Sequence, residues 1–210
     1  MRFLDDLADT STTRNRLPHW QQAAATCFIT WRLADSIPQE LMAKWKRERA
    51  EWLAKNPEPW DEALEAEYHR IFSTEIDRIM DKGHGSCVLR RPPVRAIVSG
   101  SFAKFDGSRY TIHSSVVMPN HVHLLVTPAE TRKMEDTVRD WKSYSARLIN
   151  REIGEGSGSL WQKDYFDRII RDWEHFFRVA NYIRRNPGKA GLQEDAFALY
   201  EASFVKRMLG

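Results

Sequence analysis

Two histidines at alternate positions of an apolar segment are the residues of this chain best suited to chemistry. His121 and His123 lie in the stretch VVMPNHVHLLV, residues 116–126. In an extended strand, residues two apart project from the same face, so both imidazoles point to one side and the apolar residues between and after them point to the other. Two adjacent imidazoles supply half of the ligand set of a divalent metal ion. The spacing therefore predicts a metal site, and the alternative is two ordinary polar residues on a solvated strand face.

A metal ion held by two imidazoles needs at least one further ligand, and the spacing of residues does not identify it. Carboxylates, amides and a third imidazole are all suitable ligands for divalent metals. The candidates that remain open at this point are Asn120, Glu130, Asp172, Glu174, His175 and Asn186.

The histidine pair must be positioned by a sheet, and the predicted elements describe one. Four strands are predicted from β-branched and aromatic residues bounded by turns, over 24–33, 109–119, 121–128 and 160–172. Three helices are predicted to pack on them, from Pro93 to about 106, over 134–150 and from Trp173 to Arg185. The Asn186-Pro187-Gly188 sequence is expected to end the last helix. This order predicts an α+β sandwich with helices on one antiparallel sheet.

The segment 38–81 is predicted to be a helical hairpin inserted between the first strand and the helix that returns to the sheet. Its many alternating charges favour a solvated surface. The other peripheral parts are a polar N-terminal arm over 1–20 and a short C-terminal tail over 193–210. We therefore expect a single domain over 1–210 that carries one insertion.

Composition excludes several classes of protein. Two cysteines that form no CxxC pair do not make a disulfide framework. No run approaches the roughly 18 apolar residues of a membrane span, and the N-terminus lacks the apolar core of a signal peptide. We therefore expect a soluble, cytoplasmic protein. The net charge of +3 permits a nucleic-acid partner without requiring one.

Two separated blocks resemble one family. MPNHVHLLV, residues 118–126, resembles the HUH motif of the single-tyrosine transposases of bacterial insertion sequences. LWQKDYFDRIIRDWEHFFRVANYIRRNPGKAGL, residues 160–192, resembles the C-terminal signature of their REP-associated tyrosine transposase branch. Shorter similarities are RLPHW at 16–20, WRLADSIP at 31–38 and WKSYSARLIN at 141–150. The resemblance covers most of the chain except the 38–81 hairpin, which compact relatives lack, and the tail.

The resemblance implies a fold, a reaction and a set of residues. The fold is an HUH-type, ferredoxin-like or RRM-like sandwich. His121 and His123 are the metal ligands, Tyr182 is the nucleophile, and Asn186, one helical turn later, completes the metal site. The expected cofactor is Mg²⁺ or Mn²⁺. The expected activity is metal-dependent cleavage and rejoining of single-stranded DNA at hairpin or palindromic repeats, through a 5′-phosphotyrosine intermediate, by a monomer or homodimer. Tyr165 is the weaker candidate for the nucleophile.

Basic residues around the tyrosine block and on the preceding helix are candidate phosphate contacts. They are Lys142, Arg147, Arg168, Arg171, Arg178, Arg184, Arg185 and Lys189. The N-terminal arm, with Arg14, Arg16 and His19, is a further candidate.

Two functions of other classes compete with this interpretation. One is a catalytically silent DNA-binding module of the same fold, which would bind hairpins without forming a covalent adduct. The other is a hydrolase in which the two histidines and their metal activate a water molecule, so that removal of the Tyr182 hydroxyl leaves turnover largely intact.

Overall fold

A computed structural model of the chain describes residues 1–5, 11–14, 18–57, 59–154 and 159–210. Within these ranges two short strands form a hairpin, and five others form one antiparallel sheet in the order β6-β3-β5-β4-β7. The strands are β1 (Ser11–Arg14), β2 (Pro18–Gln21), β3 (Cys27–Arg32), β4 (Tyr110–Val117), β5 (His121–Pro128), β6 (Phe166–Ile169) and β7 (Ala198–Glu201). The predicted α+β class is therefore confirmed. The Arg14, Arg16 and His19 side chains of the predicted DNA-binding arm lie outside the described part.

Helices cover both faces of the five-stranded sheet. They are α1 (Gln39–Lys55), α2 (Glu62–Tyr68), α3 (Thr74–Asp81), α4 (Pro92–Ala103), α5 (Met134–Ile153), α6 (Trp173–Lys189) and α7 (Ser203–Leu209). The α4 and α5 helices share one core cluster with the sheet, and α6 and α7 share a second cluster on the opposite face. None of the described helices is long and apolar enough to cross a membrane. Both cysteines are free.

The β5 strand lies at the centre of the sheet, and its side chains alternate between the two cores. Val122, Leu124 and Val126 are fully buried in the α4–α5 cluster, whereas Leu125 is buried in the α6–α7 cluster. The histidines have the same parity as Leu125, so they face α6. The alternation predicted from the sequence is present, and the face that carries the histidines is enclosed rather than solvated.

The 38–81 segment is helical, as predicted. It contains α1, α2, a π-helical turn over His69–Ser73 and α3. The end of α3 is fixed to the turn before β5, because the Asn120 side-chain amide donates to the Met80 carbonyl over 3.0 Å. Ile79 and Met80 are buried with Ile37 in a small core of their own. The last helix of the insertion thus reaches the sheet beside the histidines.

The predicted end of the last long helix was wrong. The α6 helix continues through Pro187 to Lys189 instead of ending at Arg185. A proline costs a helix one hydrogen bond and a clash with the preceding turn, yet the helix continues here with both Asn186 and Pro187 buried. Because the helix does not end at Arg185, Asn186 remains on the same helical face as Tyr182.

The C-terminal segment was predicted as a tail, but it belongs to the fold. The β7 strand forms an edge of the sheet by pairing with β4, and Val205 of α7 is completely buried. Four residues are too few for a periodic pattern to distinguish a strand from a loop. The predicted strand over 160–172 was also too long, since only Phe166–Ile169 pairs with β3.

Candidate active site

The two histidines lie side by side inside the protein. Their ring centroids are 4.7 Å apart, and His121 and His123 are 1% and 0% exposed. Burial lowers the pKa of His121 to about 3, and burial followed by the neighbouring His121 lowers the pKa of His123 well below its usual value. Both imidazoles are therefore neutral at physiological pH, which is the form that can bind a metal ion.

Hydrogen bonds fix the orientation of both rings. Asn120 donates its amide hydrogens to the Met80 and His84 carbonyls, which leaves its Oδ1 to accept from His121 Nδ1 over 2.7 Å. His121 Nε2 then carries the lone pair, and it is buried with no hydrogen-bond partner in the described part of the chain. Thr30 Oγ1 lies 2.7 Å from Nδ1 of His123. Partners of this kind orient metal-binding histidines.

Tyr182 and Asn186 reach the histidines from α6. Residues four apart share a helix face, and that face of α6 lies over β5. Asn186 Nδ2 is 3.4 Å from His123 Nε2, and the Tyr182 ring meets the His123 ring edge to face, with centroids 5.3 Å apart. Asn186 Oδ1 is buried and has no hydrogen-bond partner among the described residues. A 180° rotation of the amide group would exchange the positions of Oδ1 and Nδ2. The structure thus brings together the four residues that the resemblance singled out.

The other candidates for the third ligand have different contacts. Glu130 pairs with Arg2, and the exposed Glu174 pairs with Arg178. The Asp172 side chain caps α6 by accepting from the His175 amide. His175 Nδ1 in turn accepts from the Arg171 amide, and both ends of the Asn120 side chain are bonded as described above. No group of three or more His, Cys, Asp or Glu side chains that could hold a metal occurs among the described residues. Asn186 is therefore the candidate whose oxygen could complete the set.

Sequence reasoning missed two carboxylates from the insertion. The Tyr182 hydroxyl donates to Asp77 Oδ2 over 2.8 Å, and Asp81 lies one turn further along α3. Burial raises the pKa of Asp77 to about 7 and that of Asp81 to about 6. Burial, followed by the charge of Asp77, raises the pKa of Tyr182. The sequence signal for this pair was the four-residue spacing of Asp77 and Asp81, which places both on one face of a helix. The many other charged residues of the insertion made this spacing inconspicuous.

A cavity of about 640 Å³ opens between the insertion and the sheet, with Tyr182 and Asp77 in its wall. Aromatic rings and guanidinium groups line much of the rest. They include Phe28, Trp45, Tyr68, Phe72 and Phe166, and Arg32, Arg49 and Arg168. A space of this composition can hold an extended anionic chain with flat apolar substituents.

Half of the basic residues predicted to contact DNA are engaged within the protein. Lys142 Nζ donates to the Gln162 and Lys163 carbonyls over 2.6 and 2.9 Å. Both Arg168 and Arg171 bind the carboxylate of Glu65 in α2, which holds the insertion against the sheet. Arg184 forms two hydrogen bonds to Glu201 of β7, at 2.9 and 3.1 Å.

The other four are exposed, and one lies far from the site. Arg178, Arg185 and Lys189 are on α6, and Lys189 Nζ is 5.1 Å from the Tyr182 ring centroid. Arg147 is on α5, which packs on the opposite face of the sheet, where its guanidinium lies over the Tyr144 ring. The predicted basic cluster is thus divided by the sheet. Arg178 pairs with Glu174 on its own helix, and Lys189 is the exposed member of the cluster that lies next to Tyr182.

We expect Lys142→Met to affect folding rather than DNA binding. Loss of the charged donor leaves the carbonyl groups of residues 162–164 without this partner, which should lower the free energy of unfolding by about 1–3 kcal/mol. Urea unfolding measures this effect, and the salt dependence of DNA affinity should stay unchanged. The matched control is Arg139→Met on the same helix, where an exposed side chain pairs with Asp136. A reduced salt slope for Lys142→Met would contradict the structural role.

Buried titratable groups give the metal-free protein a definite pH dependence. Burial lowers the pKa of His113 and His175 to about 4, as it lowers those of His121 and His123. Below about pH 6.5 the unfolded chain binds protons that the folded histidines do not bind. The free energy of unfolding therefore decreases as the pH is lowered. The raised pKa values of Asp77 and Asp81 act in the opposite direction and offset about half of this loss.

The expected result is a loss on the order of 2 kcal/mol per pH unit between about pH 6 and 4.5. Urea unfolding in the presence of a chelator, at a series of pH values, measures it. A stability that is constant or rises over this range would show that the histidines are not held neutral by the fold.

Fold and site together define a class of protein: an α+β sandwich whose central strand presents a buried histidine pair to a tyrosine on the facing helix. Comparison with known proteins agrees with this arrangement. Residues 94–186 match the family model described as "Transposase IS200 like". The match spans His121, His123, Tyr182 and Asn186, so this segment of the chain is similar to the IS200-like transposases. The resemblance noted in the sequence is thereby confirmed.

Two transposases are among the solved structures to which the chain is similar. A REP-associated tyrosine transposase, solved bound to a REP hairpin, is 15% identical with a TM-score of 0.48, over 86% of this chain and 77% of that chain. A putative transposase from Deinococcus radiodurans is 14% identical with a TM-score of 0.32, over 89% of this chain and 98% of that chain. No curated protein matches the chain.

Proposed function

We propose that this transposase-like protein is a metal-assisted endonuclease and strand transferase that acts on single-stranded DNA with hairpin or palindromic repeats. The observation that carries the proposal is the convergence of His121, His123, Asn186 and Tyr182 in one buried site. Because all four side chains come from a single chain, the site is complete in a monomer. The hairpin substrate is taken from the resemblance of the two sequence blocks.

The proposed metal ligands fit a divalent cation of the Mg²⁺ or Mn²⁺ kind. His121 has a neutral, buried Nε2, and Asn186 has a buried Oδ1. Neither atom has a hydrogen-bond partner among the described residues. His123 Nε2 has only the long contact with Asn186. When bound, a divalent cation would neutralise charge on the scissile phosphate. The three side chains would hold it, and the hydrogen bonds to Asn120 and Thr30 would keep both rings in place.

Tyr182 would be the nucleophile. Its oxygen attacks phosphorus in line, the bond between phosphorus and the 3′ oxygen breaks, and a 5′-phosphotyrosine and a free 3′-hydroxyl result. Attack by another 3′-hydroxyl on the phosphotyrosine reverses the step and joins two DNA ends without ATP. The energy of the phosphodiester bond is stored in the covalent link throughout.

The cavity beside Tyr182 supports a single-stranded substrate. Unpaired bases stack on aromatic side chains, and the backbone binds cations. The cavity wall provides Trp45, Tyr68 and Phe166 for bases, and the exposed Lys189 lies next to the Tyr182 ring for a phosphate. A base-paired duplex presents its bases only at their edges, so it would use this aromatic surface poorly.

The test is covalent capture. Hairpin oligonucleotides, labelled on the fragment that would remain attached through its 5′ end, are incubated with protein and Mg²⁺, Mn²⁺ or EDTA and resolved on a denaturing gel. A protein-linked labelled product that requires metal is expected. Binding without an adduct across a broad set of hairpins would favour the silent DNA-binding module. A free 5′-phosphate product without an adduct would favour the hydrolase.

A further inference from the structure

The hydroxyl of Tyr182 has one specific acceptor among the hydrogen bonds of the site, and it comes from the insertion. Tyr182 Oη donates to Asp77 Oδ2 over 2.8 Å, across 105 residues of chain. Contacts at two points of the insertion fix the position of Asp77. The end of α3 is bonded to Asn120 beside the histidines, and Glu65 of α2 is paired with Arg168 and Arg171 of the main domain. The insertion therefore places the Asp77 carboxylate within hydrogen-bonding distance of Tyr182 Oη.

We propose that Asp77 is a further catalytic residue, the group that takes the phenolic proton of Tyr182 during cleavage and returns it during rejoining. The proposal rests on the proposed function of Tyr182 as nucleophile. In cleavage, the O–H bond breaks and its proton passes to Asp77, Oη bonds to phosphorus, and the electron pair of the broken bond goes to the 3′ oxygen, which takes a proton from water. In rejoining, the incoming 3′-hydroxyl gives its proton to water, and the departing Oη takes one from Asp77.

The environment suits a proton acceptor that works near neutral pH. Burial raises the pKa of Asp77 to about 7, although its hydrogen bond from Tyr182 opposes the increase. A general base is most effective when its pKa is close to the working pH. The charged groups that face Asp77 are Asp81 on its own helix and Lys189 on α6, which act in opposite directions.

A phenol in this position requires such an acceptor. A tyrosine phenol has an ordinary pKa near 10, so its proton does not leave for solvent at neutral pH. The hydrogen bond to Asp77 gives that proton a direct acceptor, and the carboxylate becomes neutral as the phenol oxygen becomes nucleophilic. Asp81 contributes negative charge near Tyr182, but Asp77 is the aspartate that accepts the hydrogen bond from the Tyr182 hydroxyl.

The first test is Asp77→Asn. Asparagine has the same shape, and its Oδ1 still accepts from the Tyr182 hydroxyl, but it does not take a proton. The rate of adduct formation on a labelled hairpin oligonucleotide should fall by about 100-fold or more, with unchanged DNA affinity and unchanged thermal unfolding. The matched control is Glu75→Gln on the same helix, whose carboxylate pairs with the exposed Arg78. This variant should cleave at the wild-type rate.

A second measurement separates proton transfer from positioning. With 3,5-difluorotyrosine at position 182, the phenol is more acidic, so the rate defect of Asp77→Asn should shrink. A defect of unchanged size would show that Asp77 only positions the ring and would overturn the proposal. If Asp77→Asn is poorly folded, Asp77→Ala with added formate replaces it, and rescue of the rate by formate but not by chloride is expected. Absence of rescue would count against Asp77.

The outcomes for Asp77 and for Tyr182 can be told apart. If wild-type protein forms no adduct, the proposed function fails, and the role of Asp77 fails with it. If wild-type protein forms the adduct and Asp77→Asn forms it equally fast or faster, only the Asp77 proposal is overturned. A faster variant would identify the hydrogen bond as a lock that holds Tyr182 away from the phosphate.

Discussion

Replacing Tyr182 with phenylalanine is expected to abolish the covalent protein–DNA adduct. The substitution removes only the hydroxyl oxygen, so the ring can keep its edge-to-face contacts with His123 and Phe28. Loss of a nucleophile reduces turnover to the background reaction, and a decrease of at least about a thousandfold is expected. The measurement is the denaturing gel described above, together with hairpin affinity, which should be retained.

The matched control for this variant is Tyr200→Phe. Tyr200 is 47% exposed on the edge strand β7, so its hydroxyl has no place in the proposed chemistry. It should form the adduct at the wild-type rate. Continued metal-dependent cleavage by Tyr182→Phe, with a free 5′-phosphate end, would contradict the nucleophile assignment and favour the hydrolase that uses activated water.

Replacing His121 with alanine is expected to remove metal binding and cleavage together. Its Nε2 is a buried nitrogen that has no hydrogen-bond partner among the described residues, and alanine provides no ligand in its place. Loss of a partner that merely orients a ligand lowers metal affinity 10- to 100-fold, so loss of the ligand itself should lower Mn²⁺ affinity by at least about 100-fold. Titration followed by the electron paramagnetic resonance of free Mn²⁺ measures this directly, without DNA.

His84→Ala is the control for the metal measurement. His84 contacts the site through its backbone carbonyl, which accepts from Asn120 and is kept in the variant. Its Mn²⁺ affinity should equal that of the wild type. If His121→Ala bound Mn²⁺ as tightly as the wild type, the histidine pair would not be the metal site, even if the variant had lost cleavage for another reason.

Several features of the site could be predicted from local patterns. Alternation along 121–126 placed both histidines on one face of a strand, because side chains in a strand have a period of two. The four-residue spacing placed Tyr182 and Asn186 on one face of a helix for the corresponding reason. The family resemblance assigned these residues their roles. The residue types by themselves had left six candidates for the third metal ligand.

The end of α6 and the role of the tail could not be predicted in this way. Pro187 is a strong local stop signal, yet α6 continues through it and buries both Asn186 and Pro187. The β7 strand is defined by the hydrogen bonds it makes with β4, not by a pattern within its own four residues. In both cases a tertiary contact overrides the propensity of a short segment.

The sequence by itself determined the fold class, the family resemblance and the histidine pair, because periodicity and motif are properties of neighbouring residues. Only the tertiary structure decided how the insertion is used. Its charges are typical of a solvated helix, but α3 packs against the site and places Asp77 on the Tyr182 hydroxyl, 105 residues away along the chain. The same packing determines which arginines bind Glu65 and which remain free. Contacts over such separations depend on how the elements pack together, and no local pattern encodes them.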